Sequence, residues 1–211
     1  MTKILVVRHG ESTWNAQRRI QGHRDSPLSP LGMQQAGAIR DRLRATPISA
    51  IYSSDLSRAV ATISPLASAL GLTVQKREAL REKSYGRWEG LTPEEVDEQY
   101  PGEWERYQRC RESDPHFVIP GGETWEDVRD RTSTALLDIV ALHGPNDIVV
   151  IATHGGTLRT MILYALGAPL ASLFHMSVNN AGISRIDFKG GRTARVVFFN
   201  DTSHLEGVVD A

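Results

Sequence analysis

The sequence predicts an α/β protein. We expect a three-layer α/β/α sandwich on a mostly parallel central sheet, with an antiparallel edge strand and a helical insertion over the site. Two observations predict it. Short β-branched apolar runs alternate with segments of helical periodicity, the pattern of a parallel sheet covered by helices. Two late apolar runs flank Gly190-Gly191 as a hairpin, which puts an antiparallel edge on the sheet.

The elements follow in order. Residues 3–7 (KILVV) read as a short, buried strand. A polar, glycine-containing stretch leads to Ser29, an N-cap with Pro30 in the first helical turn. The apolar spacing Leu31, Met33, Ala36, Ile39, Leu43 carries that helix to about Arg44. Residues 49–53 form a second strand. Residues 56–70 form a helix closed by Gly71, and Pro65 within it predicts a kink or break. Residues 72–75 read as a short strand. The stretch 76–122 is charged and interrupted by Pro93, Pro101, Pro115 and Pro120. It reads as an insertion with short helices near 92–99 and 102–112, ended by Gly121-Gly122. Residues 123–142 have helical spacing, 147–152 form the most apolar strand, and 158–166 form a helix closed by Gly167. Strands near 182–188 and 193–199 complete the hairpin. No repeat and no low-complexity tract appears, so residues 1–211 read as one domain.

Composition excludes several classes. Hydrophobic residues make up 40% of the 211, enough for a core in a chain that buries roughly 70% of its unfolded surface. Charged residues, at 23%, are too few for a disordered chain. Basic and acidic residues number 24 and 25, a net charge of -1, without the basic excess of a nucleic-acid partner. Of the 24 basic residues 20 are Arg, the side chain suited to bidentate contact with phosphate or carboxylate. A single cysteine, Cys110, excludes a disulfide framework and a cysteine zinc site. No apolar run approaches the ~20 residues of a membrane span. The burst at 4–7 is shorter than the core of a signal peptide, about 7–15 residues. The expectation is a cytoplasmic protein, monomer or homodimer, with no membrane partner.

Two segments share a local grammar. Leu5-Val6-Val7-Arg8-His9-Gly10 and Ile151-Ala152-Thr153-His154-Gly155 are both strands that end on His-Gly. Ligands of open α/β sheets bind beyond the carboxyl ends of the strands, so neighbouring strands would bring both imidazoles to one crevice. Gly155-Gly156 ahead of a helix offers free N–H groups and a positive dipole end. At a third strand end, Tyr52-Ser53-Ser54-Asp55-Leu56-Ser57-Arg58 places Arg58 in the first turn of a helix. Arg8, Arg58, His9, His154 and that helix end make a site for a dianion such as a phosphoryl group. Asn15 and Gln21 on the first loop can donate further bonds. The chain lacks a G-x-x-x-x-G-K-[ST] loop, a G-x-G-x-x-G fingerprint, a G-x-S-x-G elbow and an H-E-x-x-H helix. It also lacks a Cys-x5-Arg loop, which leaves His as the natural nucleophile toward phosphorus.

Arg8-His9-Gly10-Glu11-Ser12-Thr13-Trp14-Asn15 resembles the signature of the histidine phosphatase superfamily, the phosphoglycerate mutase-like proteins. The similarity continues in order: Gln21-Gly22, Pro27-Leu28-Ser29, Ser53-Ser54-Asp55-Leu56-Ser57-Arg58-Ala59, Leu80-Arg81-Glu82, Gly86-Arg87-Trp88-Glu89-Gly90, Gly121-Gly122-Glu123-Thr124 and Thr153-His154-Gly155-Gly156. The resemblance implies that His9 becomes a phosphohistidine and that Arg8, Arg58 and His154 hold the phosphoryl oxygens. Asn15, Gln21, Gly22 and the Gly155 backbone would assist, and His23 on the same loop would touch substrate. Glu82 would donate and then accept the proton. To do so it should enter protonated, its pKa raised by burial and by the incoming dianion. That role rests on the resemblance alone. No metal is implied, and no cofactor except 2,3-bisphosphoglycerate if the protein is a mutase.

The insertion before the second histidine motif is short, and Trp88-Glu89-Gly90-Leu91-Thr92 looks like the phosphatase branch. The expected function is therefore metal-independent hydrolysis of small-metabolite phosphomonoesters with broad specificity. The alternatives are a cofactor-dependent phosphoglycerate mutase, a narrower phosphatase for α-ribazole phosphate or phosphoserine, and a catalytically silent binding module. Tyr85 stands where phosphoserine-specific members place a His. Trp88, Trp104 and Tyr107 are expected in lid packing, and His204 in a tail that could close over the site.

Overall fold

The computed structural model describes residues 1–110, 113–114, 116–189 and 193–208. Its strands are β1 (Thr2–Arg8), β2 (Ile48–Ser53), β3 (Val74–Lys76), β4 (Ile148–Thr153), β5 (Ile183–Phe188) and β6 (Ala194–Asp201). They form one sheet in the order β3-β2-β4-β1-β5-β6. β3, β2, β4 and β1 are parallel, and β5 and β6 add an antiparallel edge.

The helices are α1 (Thr13–Ala16), α2 (Pro30–Leu43), α3 (Ser57–Leu70), α4 (Pro93–Gln99), α5 (Glu103–Cys110), α6 (Trp125–Ala141) and α7 (Gly155–Leu166). Alternation along β1 explains their placement, because successive strand side chains point to opposite faces. Ile4 and Val6 pack with Leu136 and Ile139 of α6 and with Leu158 and Met161 of α7. Leu5 and Val7 pack with Ile39 and Leu43 of α2 and with Ile63 and Leu66 of α3. A central strand apolar on both faces thus takes a helical layer on each. Segment 76–122 has its own small core, in which Trp88, Val96, Tyr107 and Ile119 are buried.

Several boundaries differ from the sequence reading. The polar stretch after β1 contains α1, nucleated by a capping box in which Ser12 Oγ accepts from the Asn15 N–H. Pro65 does not break α3, which runs unbroken to Gly71. One missing N–H costs a single bond, and Ile63, Leu66 and Ala67 bury the face that holds the helix in place. β3 begins at Val74 rather than 72, because the chain first completes the C-cap with a Leu72 N–H to Ala67 carbonyl bond. α7 begins at Gly155 rather than 158, immediately after the strand end. Short 3-10 turns at Glu78–Leu80, Gly86–Trp88, Leu170–His175 and Ser203–Leu205 carried no apolar periodicity to announce them. The Gly190-Gly191 turn and residues 111–112 of the 102–112 helix lie outside the described residues.

Candidate active site

Sheet register brings the three strand ends together. Arg8 is level with Thr153 across the β1–β4 pair, and Ser53 with Ala152 across β2–β4. The His9 N–H donates to the Thr153 carbonyl (2.8 Å) and the Ser54 N–H to the Ala152 carbonyl (2.9 Å). His9, Ser54 and His154 therefore leave the sheet at one level, beyond its carboxyl edge.

His9 is buried, and its Nδ1 lies 2.7 Å from the Gly10 carbonyl oxygen. A carbonyl only accepts, so Nδ1 carries the proton and the Nε2 lone pair is free. The neighbouring backbone is fixed on every side. The Gly10 N–H donates to Thr62 Oγ1 (2.9 Å), and the His9 carbonyl accepts from the Ala181 N–H and Asn180 Nδ2 (both 3.1 Å). Burial first, then the charges of Arg58 and Arg8, hold the His9 pKa well below its ordinary value against the opposing Gly10 bond. Burial, followed by Arg58, does the same for His154. Both rings are neutral, 5.1 Å apart between centroids.

The cations beside them are incompletely satisfied. Arg8 Nη1 donates to the Val178 carbonyl, and Arg58 donates to the carbonyls of Gly22 (2.7 Å) and Arg24 (3.1 Å) and to Asp25 (3.3 Å). Yet Arg8 Nε, Arg58 Nε and both His154 ring nitrogens are buried without a hydrogen-bond partner among the described residues. An unmade bond at a buried donor costs about 1–3 kcal/mol. Such atoms clustered at one sheet edge describe a cradle for an anion.

Glu82 lies opposite, and here the geometry differs from expectation. Its carboxylate accepts from the Lys83 N–H (2.9 Å) and from the first turn of α7, the N–H groups of Gly156 (2.9 Å) and Thr157 (3.2 Å). The dipole end expected to serve the phosphoryl group alone also seats this carboxylate. Its backbone is clamped as well. The Glu82 carbonyl accepts from Arg131 Nη2 (2.8 Å) and lies 2.9 Å from His23 Nε2, and the Arg81 carbonyl accepts from Arg131 Nη1 (2.8 Å) and Thr157 Oγ1 (2.6 Å). Glu123 completes the clamp by accepting from Arg131 and the Ser84 N–H. Burial alone would raise the Glu123 carboxyl, but the His23 and Arg131 side chains and the Ser84 N–H hold it well below the usual range.

Arg8, His9, Asn15, Gln21, Gly22, Arg58 and Glu82 line one cleft of about 330 Å³. Gly22 is required there. Its φ is +63°, and a methyl group on its Cα would stand 2.1 Å from Glu89 Oε1. The buried Glu89 carboxylate folds the loop by accepting from the N–H groups of His23 (3.0 Å) and Arg24 (2.8 Å). His23 itself turns away from the cleft wall toward Glu82 and Glu123. His204 lies near the Ala181 carbonyl, beside α2, and does not cover the cleft. Trp88 is in the lid core as expected, whereas Trp104 and Tyr107 pack there and line the cleft too. Sequence reasoning assigned no role to Arg131, Glu89, Asn180 or Arg159. Each acts across a long sequence separation and leaves no local periodic signal.

Comparison with known proteins identifies the family. The family described as "Histidine phosphatase superfamily (branch 1)" matches residues 4–202. The chain is 38% identical over 207 residues to "Phosphoglycerate mutase-like protein 4" of Arabidopsis thaliana, a match covering 97% of this chain and 87% of that one. The solved structure of Bacillus stearothermophilus YhfR has a TM-score of 0.89 at 33% identity, over 97% of this chain and 100% of that one. A mycobacterial glucosyl-3-phosphoglycerate phosphatase complexed with VO3 has a TM-score of 0.85 at 29% identity, over 95% and 99% of the two chains. The match over nearly the whole length decides the family: the chain belongs to branch 1 of the histidine phosphatase superfamily, as an enzyme of the phosphatase or mutase type.

Proposed function

We propose that the protein hydrolyses small phosphomonoesters through a phosphohistidine on His9, with broad specificity, without a metal and without a cofactor. The observation that carries the reading is the bond between His9 Nδ1 and the Gly10 carbonyl. It frees Nε2 as a nucleophile beside the unpartnered Nε groups of Arg8 and Arg58 and the unpartnered His154 ring. In the first step Nε2 bonds to phosphorus, the bond to the leaving oxygen breaks, and Glu82 delivers a proton to that oxygen. In the second, water bonds to phosphorus, the P–N bond breaks, and Glu82 takes the proton from water. Arg8, Arg58, His154 and the Gly155 N–H stabilise the equatorial oxygens, which is most of what phosphoryl transfer requires. Asn15, Gln21 and Gly22 shape the same cleft. Similarity to a solved phosphatase supports hydrolysis over transfer back to substrate. We further infer that residues 1–211 act as one domain, and we place the protein in the cytoplasm as monomer or homodimer. No helix among the described residues is long and apolar enough to cross a membrane.

Turnover of p-nitrophenyl phosphate in excess chelator tests the reading. We expect activity in the native protein and none in His9→Ala. Silence of the native protein would favour a binding module, and loss with chelator would overturn the metal-free mechanism. The mutase-like relative keeps a second reading open. Rapid conversion of 3-phosphoglycerate to 2-phosphoglycerate in the presence of 2,3-bisphosphoglycerate, with little free phosphate, would establish it.

A further inference from the structure

Past the cradle the cleft is walled by rings. Tyr85, Trp104, Tyr107, Trp125 and Phe174 line it. They are braced from behind. Trp104 and Tyr107 meet Trp88 at 5.8 and 5.5 Å between centroids, and Trp125 meets Phe174 edge to face at 6.0 Å. Rigid aromatic walls accept a flat apolar body at little entropic cost.

One cation in this wall takes no part in the steps above. Arg159, half-buried on α7, donates from Nε to the Gly155 carbonyl (3.2 Å) and from Nη1 to the carbonyls of Leu173 (3.1 Å) and Met176 (3.4 Å). Those bonds fix the guanidinium 5.9 Å from the Trp125 ring centroid. Its partners here are neutral, and among the described residues Nη2 has no acceptor and no carboxylate lies within ion-pair distance of it. Arg19, on the same cleft, differs: Glu95 holds it at 2.6 Å. The Trp125 indole N–H is also buried without an acceptor. Gly155 separates Arg159 from the cradle. Its carbonyl takes Arg159 Nε, while a methyl on its Cα would stand 3.3 Å from Arg8 Nε. Arg159 and Arg8 thus flank the same glycine.

Resting on the phosphatase reading, we infer that Arg159 is a specificity residue that reads a carboxylate on the leaving group, and that the preferred substrate class is the phosphate ester of an aromatic acid. The ring lies among Tyr85, Trp104 and Trp125, the phosphoryl group in the cradle, and the carboxylate on Arg159. A charge-assisted bond of this kind favours the acid over its neutral amide by about tenfold or more.

The test measures kcat/KM for 3- and 4-carboxyphenyl phosphate against the matching carbamoylphenyl phosphates, which hold leaving-group acidity nearly constant. We expect at least one acid to exceed its amide by about tenfold in the native protein. The ratio should fall to about 1 in Arg159→Met and recover in part in Arg159→Lys. A native ratio near 1 for both pairs overturns the inference without needing any variant to fold, and so does a ratio that survives in Arg159→Met. Failure to hydrolyse any of the four esters by protein that turns over p-nitrophenyl phosphate overturns the inference alone, whereas failure on p-nitrophenyl phosphate as well overturns the phosphatase reading and the inference with it.

Discussion

At position 9, burial and two arginines leave an imidazole that is neutral, the state the proposed attack requires. At position 82, three N–H groups hold the carboxylate that the proposed mechanism uses to move the proton. Replacing Glu82 with Gln keeps the shape and removes the transferable proton. We expect kcat to drop about 10²–10⁴-fold for alkyl esters, and by less for p-nitrophenyl phosphate, whose leaving oxygen hardly needs protonation. Comparing the two substrates in E82Q checks this. Lys83 next door is buried with Nζ unbonded over the rings of Tyr85 and Trp125, and burial lowers its pKa to about 8. Between that value and the ordinary ~10.4 the unfolded chain binds more protons than the folded one, so a cost accrues as pH falls and is complete below about 8. With cation–π attraction offsetting part of it, Lys83→Met should stabilise the protein by about 1–3 kcal/mol at pH 7 and by little near pH 11. Urea midpoints at the two pH values decide. At this scale the sequence spoke for His9, His154 and Arg8, which sit at strand ends, and for Arg58 in the helical turn that follows one. It was silent on Glu82, whose placement depends on Arg131, Thr157 and Glu123, all at least 41 positions further along the chain.

Among the elements, α7 unites the two halves of the reaction, with its first turn beside Arg8 and under the Glu82 carboxylate. A glycine pair at its start is unfavourable for a helix, which is why periodicity placed its beginning three residues late. Space explains the pair. A methyl on Gly156 would stand 2.4 Å from Glu82 Oε1 and 2.9 Å from the Trp125 ring. Gly156→Ala should therefore cut kcat at least tenfold although residue 156 bears no chemical group, with kcat and the unfolding midpoint measured on the same sample. Midpoint loss without loss of kcat would contradict this. The remaining elements were legible where an apolar face repeats, as in α2, α3 and α6. They were not legible where one polar side chain caps a single turn, as Ser12 does for α1.

For the whole molecule, the alternation of apolar strand runs with helical segments and the late hairpin sufficed to predict the layers and the antiparallel edge. The lid's interior was less accessible, since its core forms from residues 88, 96, 107 and 119, which share no single period. Two neutral buried imidazoles also set its acid response. Their pKa values lie well below 6.5 in the folded state, so below that pH the unfolded chain binds protons that the folded chain refuses. The contribution of these two rings to stability should be level above pH 6.5 and fall beneath it, by up to about 2.7 kcal/mol per pH unit for the two together. His154→Gln should flatten that fall when midpoints at pH 7.5 and 5.5 are compared. The Gly10 carbonyl finally dictates regiochemistry. In the proposed phosphohistidine, with Nδ1 committed to that carbonyl, phosphorus resides on the far side of the ring, so hydrolysates of rapidly quenched enzyme should contain 3-phosphohistidine and none of its 1-substituted isomer.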